Sequence, residues 1–413
     1  MAHALAGKPV QEQDIIDVQT IVDAYFDNVP DMTNPTQLVS FGTSGHRGTS
    51  VDGTFTDLHV AAITQAICDG RKQFGATGPI FVGQDTHALS QPALVTVLEV
   101  LAGNGVTAMV DCDMAFVPTP SVSRAIIRYN EEHDDKADGI IITPSHNPPD
   151  NGGIKYNTII GGPADTVVTK WIEMRANGYL TAYCESEDFK RISIDNIEPT
   201  AQVPYDYKGL YVEELGDVIN MEAIKAAGPK VLVDTLGGSG ASYWNAIKER
   251  YGLDLTIIHD DYDPTFSFMT YDHDGKVRMD CSSTYVMASV INRIGDFDLA
   301  VGNDPDYDRY GIVVSSGLIS ANIFLTLAAR YLFTTRGWKN KGVGKTVVCT
   351  TMIDKWAADA ENPVFEVPVG FKYFSQLLFD GAIGIGGEES AGASFLKKDG
   401  TVWTTDKDGM IMA

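Results

Sequence analysis

The chain has 413 residues, 44% of them hydrophobic, so it is long enough for two to four domains with cores of their own. Its 31 Lys and Arg residues stand against 55 Asp and Glu residues, which gives a formal net charge of −24. That charge repels nucleic acids and anionic membranes, so we expect neither as a partner. It also repels a phosphorylated metabolite at long range, and a phosphate site therefore needs cations of its own.

The cysteines and the N-terminal segment bear on the compartment. The five cysteines, at positions 68, 112, 184, 281 and 349, are far apart and include no Cys-x-x-Cys pair. This pattern argues against a disulfide framework and against a zinc site. The first ten residues lack the apolar segment of a signal peptide, and no stretch approaches 18 apolar residues. We therefore expect a cytoplasmic enzyme with reduced thiols.

The first elements are a helix and a glycine-containing turn. Apolar residues recur at steps of three and four over residues 12–28, which predicts an amphipathic helix. The segment FGTSGHRG, residues 41–48, predicts a turn that ends near Arg47. Glycine lets a backbone approach a ligand closely, and arginine can bind phosphate with two hydrogen bonds. Taken alone, these residues also fit an ordinary surface turn.

From residue 57 to residue 143, helical and strand patterns alternate, as in a mostly parallel sheet. The predicted helices cover 57–74, 91–102 and 121–129, and the predicted strands cover 79–83, 106–111 and 139–143. The last strand leads into TPSHNPP, residues 143–149, which we call the serine loop.

The serine loop is the first candidate site. Its three prolines bar helix and strand, so we expect Ser145 to be rigidly displayed, reachable by solvent, at the carboxyl end of a strand. Ligands of α/β sheets bind at such ends. Glycines at 152 and 153 then return the chain and place Lys155 nearby. Taken alone, the heptapeptide fits a proline-rich surface turn better.

A polar stretch at residues 182–206 indicates a boundary, and a second α/β unit follows it. Its predicted strands cover 230–234, 253–258 and 297–302, and its predicted helices cover 241–250 and 282–294. The glycine-rich loop at 236–240 is interpreted as a tight turn, because Tyr243 stands where a dinucleotide fingerprint requires its third glycine.

The second candidate site is NDPDYDR, residues 303–309, which we call the aspartate loop. Carboxylates at every second position repel one another unless a cation neutralises them, which favours a hard metal such as Mg²⁺. An EF-hand is excluded, because Arg309 and Ser315 occupy the positions of its glycine and glutamate. A solvated acidic turn remains the alternative. The segment at 272–275 lacks a third carboxylate, and we predict a surface turn there.

A third α/β unit completes the chain. Its predicted helices cover 322–336, 353–360 and 371–380, and its predicted strands cover 346–350, 364–369 and 382–386. The pattern argues against a P-loop at Gly344-Lys345-Thr346, because Lys339 replaces its first glycine and a strand follows. Two loops remain: residues 368–372, which place Lys372 at a strand end, and residues 386–392, which we call the sugar loop. Its carboxylate and hydroxyl groups are of the kind that bind sugar hydroxyls, although both loops also fit plain turns.

Together the three loops favour phosphoryl transfer, with a serine as carrier, a divalent metal, and cations that hold the phosphate. At this point the sequence resembles the bacterial phosphoglucomutases of the α-D-phosphohexomutase superfamily. The matching segments, in order, are FGTSGHRG, VGQDTHALS, TPSHNPPDNGGIKYN, NDPDYDR, VPVGFK and GGEESAGASF. The resemblance implies three consecutive mixed α/β domains, at residues 1–200, 201–315 and 316–413, with active-site loops at strand ends.

The resemblance also implies a role for each candidate residue. Ser145 is implied as a phosphoserine, and one Mg²⁺ per chain would be bound by that serine with Asp304, Asp306 and Asp308. The residues implied at the transfer site are Arg47, Lys155, His146 and Arg309, with Arg47 and Lys155 as acid/base candidates. Those implied to contact the sugar phosphate are Lys372, Glu388 and Ser390. The implied reaction interconverts glucose 1-phosphate and glucose 6-phosphate through glucose 1,6-bisphosphate, which also serves as primer, in a monomer or homodimer.

The resemblance has one large departure. The family's fourth domain carries an Arg-x-Ser-Gly-Thr-Glu-type loop that clamps phosphate, and no such string occurs here. The sequence stops as a helix begins after Asp406 and Asp408, so we expect a truncated chain with weak mutase activity. The form GEES, at residues 387–390, implies through the resemblance a preference for glucose phosphates over mannose phosphates. A related phosphomannomutase, a sugar-phosphate-binding phosphoprotein and a metal-dependent phosphatase remain alternatives.

Overall fold

A computed structural model describes residues 2–42, 44–183 and 189–413. The helices are α1 Val18–Asp27, α2 Asp57–Gly70, α3 Ser90–Gly103, α4 Thr119–Glu132, α5 Thr166–Tyr183, α6 Tyr207–Val218, α7 Met221–Ala227, α8 Ala241–Tyr251, α9 Ala288–Ile291, α10 Ala321–Arg336, α11 Met352–Asp359, α12 Lys372–Phe379 and α13 Gly409–Met412. The strands are β1 His46–Thr49, β2 Ile80–Gln84, β3 Ala108–Asp111, β4 Asp138–Ile142, β5 Asn151–Asn157, β6 Gln202–Tyr205, β7 Val231–Asp234, β8 Leu255–Ile258, β9 Leu299–Asn303, β10 Tyr310–Val314, β11 Gly317–Leu318, β12 Gly342–Thr346, β13 Val364–Val367, β14 Ile383–Gly387 and β15 Ala393–Phe395.

The first sheet has the strand order β1-β5-β4-β2-β3-β6, and β4, β2, β3 and β6 are parallel. Residues of β4 alternate between its two faces. Ile140 and Ile142 lie in the core that includes residues of α1, α2, α3 and α5, whereas Ile141 lies in a second core with residues of α4. A strand that is buried on both faces has to be apolar throughout, which explains the continuous run of isoleucines.

The second sheet has the order β11-β10-β9-β7-β8, with β9, β7 and β8 parallel and β10 antiparallel to β9. The third has the order β13-β12-β14-β15, in which only β15 is antiparallel. One hydrophobic core contains both Val233 of β7 and Ile385 of β14. The second and third units therefore share a core and pack as neighbours.

This architecture confirms the predicted class of three mixed α/β units with loops at strand ends. The division at residues 200/201 and 315/316 stays a prediction, and β6 at Gln202–Tyr205 is hydrogen-bonded to β3 of the first sheet. The serine loop follows β4, the aspartate loop follows β9, and the sugar loop follows β14. Each of these strands is parallel to a neighbour, so each loop lies at a carboxyl edge.

Two predicted elements are wrong. Helix 282–294 reduces to the four residues of α9, because upstream polar side chains bond locally: Ser282 N–H donates to Asp280, and Ser283 Oγ donates to Asp272. Strand 346–350 lies earlier, at Gly342–Thr346. The positions of Gly342 and Gly344 face the rings of Phe365 and Phe374 so closely that a Cβ would clash, and this packing outweighs the strand propensity of Val347 and Val348.

Smaller differences concern boundaries and omissions. The first helix begins at Val18, since Asp17 accepts hydrogen bonds from the N–H groups of Gln19 and Thr20 and so caps it. Arg47 lies on strand β1 and not in a turn, and Thr43 lies outside the described residues. The segment predicted as polar loop contains the end of α5, the whole of β6 and residues 184–188, which lie outside the described residues. Residues 272–275 form the predicted turn, closed by a bridge between Tyr271 and Val277.

Candidate active site

Ser145 is held in an unusual backbone conformation at the end of β4. Its φ of 59° is in the left-handed region, which non-glycine residues adopt only when their surroundings impose it. Here the imposed contact is a hydrogen bond from the Ser145 N–H to Thr143 Oγ1, 2.7 Å long. The Thr143 hydroxyl in turn donates to Asp85 Oδ2. These two hydrogen bonds fix the backbone of Ser145, the candidate nucleophile.

Asp85 and His87, which follow β2, form the support of the serine loop. The buried Asp85 carboxylate accepts hydrogen bonds from His87 Nδ1 at 2.9 Å and from Ser90 Oγ at 2.6 Å, in addition to Thr143. His87 Nε2 lies 3.0 Å from the carbonyl of Asn147. Burial alone lowers the pKa of His87, but the Asp85 carboxylate outweighs burial and raises it. His87 can therefore donate from both ring nitrogens.

The aspartate loop lies directly against Ser145. Asp304, Asp306 and Asp308 are fully buried, and each offers a carboxylate oxygen within 4.8 Å of the others. Ser145 Oγ donates to Asp304 Oδ2 at 2.8 Å. The structure thus brings together two loops whose contacting residues, Ser145 and Asp304, lie 159 residues apart in the chain.

Two lysines neutralise this cluster. Lys155 Nζ lies 2.6 Å from Asp306 Oδ2 and 2.9 Å from Asp308 Oδ2, and Lys407 Nζ lies 2.8 Å from Asp308 Oδ2. Burial opposes ionisation of Asp308, but Lys155 and Lys407 outweigh it and hold the pKa of Asp308 well below its usual value. Burial, reinforced by the neighbouring Asp306 and Asp308 charges, raises the pKa of Asp304 well above its usual value.

The arrangement fits a hard divalent metal. Among the described residues, Asp306 Oδ1 and Asp308 Oδ1 are buried without a hydrogen-bond partner. Buried carboxylate oxygens without donors are costly unless a cation binds them. Three convergent carboxylates match the oxygen ligands that Mg²⁺ prefers, and they leave further positions for water or phosphate.

The remaining transfer-site candidates surround the serine. His146 Nδ1 lies 3.4 Å from Ser145 Oγ, and burial together with the Arg309 charge lowers the pKa of His146 to about 3, so the ring is neutral near pH 7. Arg47 donates to Ser44 Oγ at 2.9 Å and to Asn147 Oδ1 at 3.3 Å, next to the serine loop. Arg309 Nη1 lies 3.4 Å from Asp280 Oδ2.

The three candidates for substrate contact, two in the sugar loop and one in residues 368–372, differ in burial and in their hydrogen bonds. Glu388 is buried, and its Oε1 accepts from the Gly370 N–H at 3.1 Å, which joins the sugar loop to residues 368–372. Burial raises the pKa of Glu388. Lys372 is the first residue of α12 and donates to Thr166 Oγ1 at 3.0 Å. Ser390 is half-buried, and its hydroxyl makes no hydrogen bond to the rest of the described chain.

One expectation about the serine is wrong. Ser145 is fully buried, not reachable by solvent, because the aspartate loop of the second unit covers the strand end that displays it. Contacts between the first two units continue nearby. The Met279 N–H donates to the carbonyl of His146, and Thr119 Oγ1 donates to Asp306 Oδ2 at 2.7 Å. The second unit therefore covers Ser145 through several contacts with the first unit.

Sequence reasoning missed Lys407 as a member of the site. It lies between Asp406, which accepts from Asn157 Nδ2, and Asp408, which caps α13 by accepting from the Ile411 N–H. The available signal was the string DKDG before an apolar segment, in which Asp408 stands at a position typical of a helix N-cap and Lys407 precedes it. Asp85 and His87 were also missed as supports, although their segment was recognised.

No helix in the described ranges 2–42, 44–183 and 189–413 combines the length and the apolar character that a bilayer span requires.

Comparisons with known proteins agree with this site. Residues 38–181, 210–317 and 320–413 match the families described as Phosphoglucomutase/phosphomannomutase, alpha/beta/alpha domains I, II and III, respectively. The chain is 48% identical over 412 residues to a protein named Phosphoglucomutase from Komagataeibacter xylinus. That match covers 98% of this chain and 74% of the relative.

Two solved structures share the fold. The Paramecium phosphoprotein pp63/parafusin, a phosphoglucomutase in an open form, superimposes with a TM-score of 0.73 at 20% identity, over 93% of this chain and 70% of that one. A phosphoglucomutase/phosphomannomutase family protein from Burkholderia thailandensis gives a TM-score of 0.69 at 21% identity, over 91% of this chain and 76% of that one. At these identities the likeness supports the fold alone. The three matched domains and the 48% identical relative show that the chain belongs to the phosphoglucomutase/phosphomannomutase family of the α-D-phosphohexomutase superfamily, a family of phosphohexomutases.

Proposed function

We propose that this protein is a phosphoglucomutase that interconverts glucose 1-phosphate and glucose 6-phosphate by way of a phosphoserine at Ser145. The observation that carries the proposal is the 2.8 Å hydrogen bond between Ser145 Oγ and Asp304, inside a buried cluster of three aspartates and two lysines. Such a cluster offers charge stabilisation for a phosphoryl group in flight, and the reaction needs little else from the protein.

In the proposed reaction, the phosphoryl group moves between Ser145 and a sugar hydroxyl. The P–O bond to Ser145 Oγ breaks while the hydroxyl oxygen of glucose 1-phosphate forms a new P–O bond, and the product is glucose 1,6-bisphosphate. After the bisphosphate reorients, its other phosphoryl group returns to Ser145, and glucose 6-phosphate leaves. The bisphosphate therefore also primes an unphosphorylated chain.

The cations around Ser145 have distinct proposed tasks. Burial opposes the charge on Lys155, but Asp306 and Asp308 outweigh burial and raise its pKa, so Lys155 is protonated and suited to donate to the oxygen that leaves on Ser145. Arg47, which lies next to the serine loop and whose pKa is lowered by burial, is the second candidate for acid/base work. Arg309 and the neutral ring of His146 would hold the serine phosphate.

The proposed metal is one Mg²⁺ held by Asp304, Asp306 and Asp308, with Ser145 or its phosphate as a further ligand. When bound, it supplies positive charge to the transferring phosphoryl group. The two carboxylate oxygens without hydrogen-bond donors support this assignment. Glu388 and Ser390 would bind the sugar hydroxyls, and Lys372 the remote part of the substrate.

Two further properties belong to the proposal. The cysteines at 68, 112, 281 and 349 are free thiols, which suits a reducing compartment such as the cytoplasm. The GEES form of the sugar loop favours glucose phosphates over mannose phosphates.

A coupled assay tests the function. Formation of glucose 6-phosphate from glucose 1-phosphate is followed with and without glucose 1,6-bisphosphate, in parallel with mannose 1-phosphate as substrate. We expect primer-dependent turnover of the glucose ester and at least ~10-fold lower kcat/KM for the mannose ester, a discrimination of ~1.4 kcal/mol. Release of inorganic phosphate without isomerisation would instead identify a phosphatase. Binding without turnover at any primer concentration would contradict the mutase assignment.

A further inference from the structure

A small cavity behind the active-site loops lies outside the machinery described above. It measures about 170 Å³ and is situated between the first two units, at the start of helix α8. Its walls include Thr86 and Phe116 from the first unit and the Gly237–Ser239 loop and Tyr262 from the second. We call it the α8 cavity. A cavity needs only ~10–15 Å³ on this measure to hold one water, so the α8 cavity is large enough for a small polar ligand such as a sugar ring.

One polar group in the wall has no partner. Thr86 is 2% exposed, and its Oγ1 is buried without a hydrogen bond to any described residue. Buried hydroxyl groups are normally satisfied, and an exception requires an explanation. Because Thr86 lines the α8 cavity, a ligand in the cavity would supply the missing partner.

The charges around the cavity disfavour an anion, and its wall also supplies hydrogen-bond donors. The N-terminal end of α8 carries partial positive charge, and Gly240 at its N-cap contributes no side chain to satisfy it, so N–H groups there can donate to a ligand. The neighbouring carboxylates of Asp260 and Asp261 also line the cavity, so a phosphate or other anion is disfavoured. A neutral ligand that both donates and accepts hydrogen bonds meets both requirements.

An aromatic pair forms another part of the wall. The rings of Phe116 and Tyr262 lie 4.8 Å apart and join the first unit to the second. Tyr262 is nevertheless 53% exposed, so much of its surface remains free for contact. Aromatic faces pack against C–H groups while nearby carboxylates accept from hydroxyls, a combination that suits a sugar ring.

We propose that the α8 cavity binds a neutral polyol of monosaccharide size, separately from the phosphorylated substrate. Thr86 would hydrogen-bond to it from within, Asp260 and Asp261 would accept from its hydroxyls at the mouth, and Tyr262 would pack against its ring. The inference goes beyond the proposed mutase activity and does not depend on it.

The position of the cavity connects this ligand to the serine. Thr86 lies between Asp85 and His87, the two side chains that support the serine loop. On the opposite wall, the N–H and the hydroxyl of Ser239 both donate to the carbonyl of Pro305 in the aspartate loop, at 2.8 Å each. An occupied cavity therefore contacts residues on both walls that are linked to the two phosphoryl-transfer loops.

Binding of unphosphorylated D-glucose to the full chain tests the inference, with saturation-transfer NMR and a titration to obtain Kd. Thr86→Val removes one neutral hydrogen bond, so we expect Kd to rise about 2–10-fold. Its thermal unfolding midpoint should be unchanged or higher, because the deleted hydroxyl has no partner without ligand. Tyr262→Ala should weaken binding further, whereas Tyr331→Ala, a tyrosine of similar exposure (60%) outside the α8 cavity, should leave Kd unchanged.

Glucose could also occupy the proposed sugar site, and Glu388→Ala separates the two locations. Kd unchanged in Glu388→Ala and raised in Thr86→Val and Tyr262→Ala is the expected result. Loss of binding in Glu388→Ala with Thr86→Val unaffected would overturn the inference. So would an equal loss in Tyr331→Ala, or the absence of saturable binding by the unmodified chain.

Discussion

At the scale of single residues, Ser145 depends on side chains that take no part in the proposed chemistry. Its left-handed φ of 59° carries a conformational penalty of order 1–3 kcal/mol. The Thr143–Asp85 pair offsets this penalty, and Asp85 lies at another strand end, 58 residues before Thr143. The reactive geometry thus results from contacts between two neighbouring parallel strands and not from the serine loop alone.

We therefore expect Asp85→Asn to slow phosphorylation of Ser145 while the chain stays folded. The amide cannot accept all the hydrogen bonds that the Asp85 carboxylate accepts, and each one lost from a buried donor costs about 1–3 kcal/mol. We expect phosphorylation of Ser145 by glucose 1,6-bisphosphate to slow by roughly 10–100-fold at ~1.4 kcal/mol per decade. Stopped incubation followed by intact-mass analysis measures that rate.

The matched control is Asp263→Asn. Asp263 also accepts four local hydrogen bonds, from the backbone and hydroxyl groups of Thr265 and Ser267, but it does not contact the serine loop. Equal slowing in the two variants would mean that the effect reflects general destabilisation.

Asp306 is the residue whose replacement should report on the metal. In Asp306→Asn one charged ligand is lost while Lys155 keeps its contact with Asp308. We expect Mg²⁺ affinity to fall at least ~10-fold, the loss of about one charge-assisted contact. Isothermal titration with Mg²⁺ gives the value. Asp399→Asn is the control, because Asp399 is exposed, accepts from Thr401 and belongs to neither cluster of metal-ligating side chains found among the described residues. Similar losses in both variants would place the metal elsewhere.

At the scale of elements, helix α13 depends on one buried carboxyl group. Asp408 caps it and accepts from Trp403 Nε1 at 2.8 Å and from the Tyr211 hydroxyl. Burial outweighs these hydrogen bonds and raises the pKa of Asp408 to about 6. The folded chain therefore keeps a proton on Asp408 at pH values where the unfolded chain, with a pKa of ~3.9, has lost it.

The proton on Asp408 sets the direction in which the unfolding free energy changes with pH. Because the folded state binds the extra proton, Asp408 favours folding at low pH, and this contribution falls as pH rises from ~4 to ~6. A shift of about two units corresponds to ~3 kcal/mol. We expect the unfolding free energy of the unmodified chain, minus that of Asp408→Asn, to decrease across this window and level off above it. Urea unfolding at several pH values measures the difference, and a constant difference from pH 4 to pH 7 would contradict the account.

Much of the fold was predictable where a local pattern decides the element. Helices with long apolar periodicity and parallel strands buried on both faces were predicted to within a few residues, as for α10 and β4. Helix α5 was missed because β-branched residues and Gly178 obscure its periodicity, and its packing against α2 decides its state. β12 was displaced because glycines with poor strand propensity are required there by neighbouring rings.

The residues of the candidate site also fall into two groups, those that a local pattern reveals and those that depend on distant contacts. Ser145 and the three aspartates lie in short contiguous motifs, so residue type and spacing were enough to single them out. Lys407 and Asp85 act through partners 99 and 58 residues away, Asp308 and Thr143, and one sequence does not reveal such pairs. The burial of Ser145 is a property of the packed units, which no local pattern encodes.

At the scale of the whole molecule, the charge of −24 opposes the approach of an anionic substrate. The repulsion extends ~30 Å at 10 mM ionic strength but only ~8 Å at 150 mM. We expect kcat/KM for glucose 1-phosphate to rise about two- to fivefold between these conditions at constant free Mg²⁺. Steady-state kinetics in KCl measure it, with sucrose of matched viscosity as control. A steady decline with salt would show that the local cations at the site dominate encounter.

The central claim is that Ser145 carries the phosphoryl group, and its phosphorylation is the most direct test. The purified chain is incubated with glucose 1,6-bisphosphate and Mg²⁺, then analysed by intact-mass and peptide mass spectrometry beside Ser145→Ala. The account predicts one phosphoryl group on Ser145, absent from Ser145→Ala and removed again by glucose 1-phosphate or glucose 6-phosphate. A phosphoryl group found at another residue, or retained in Ser145→Ala, would contradict it.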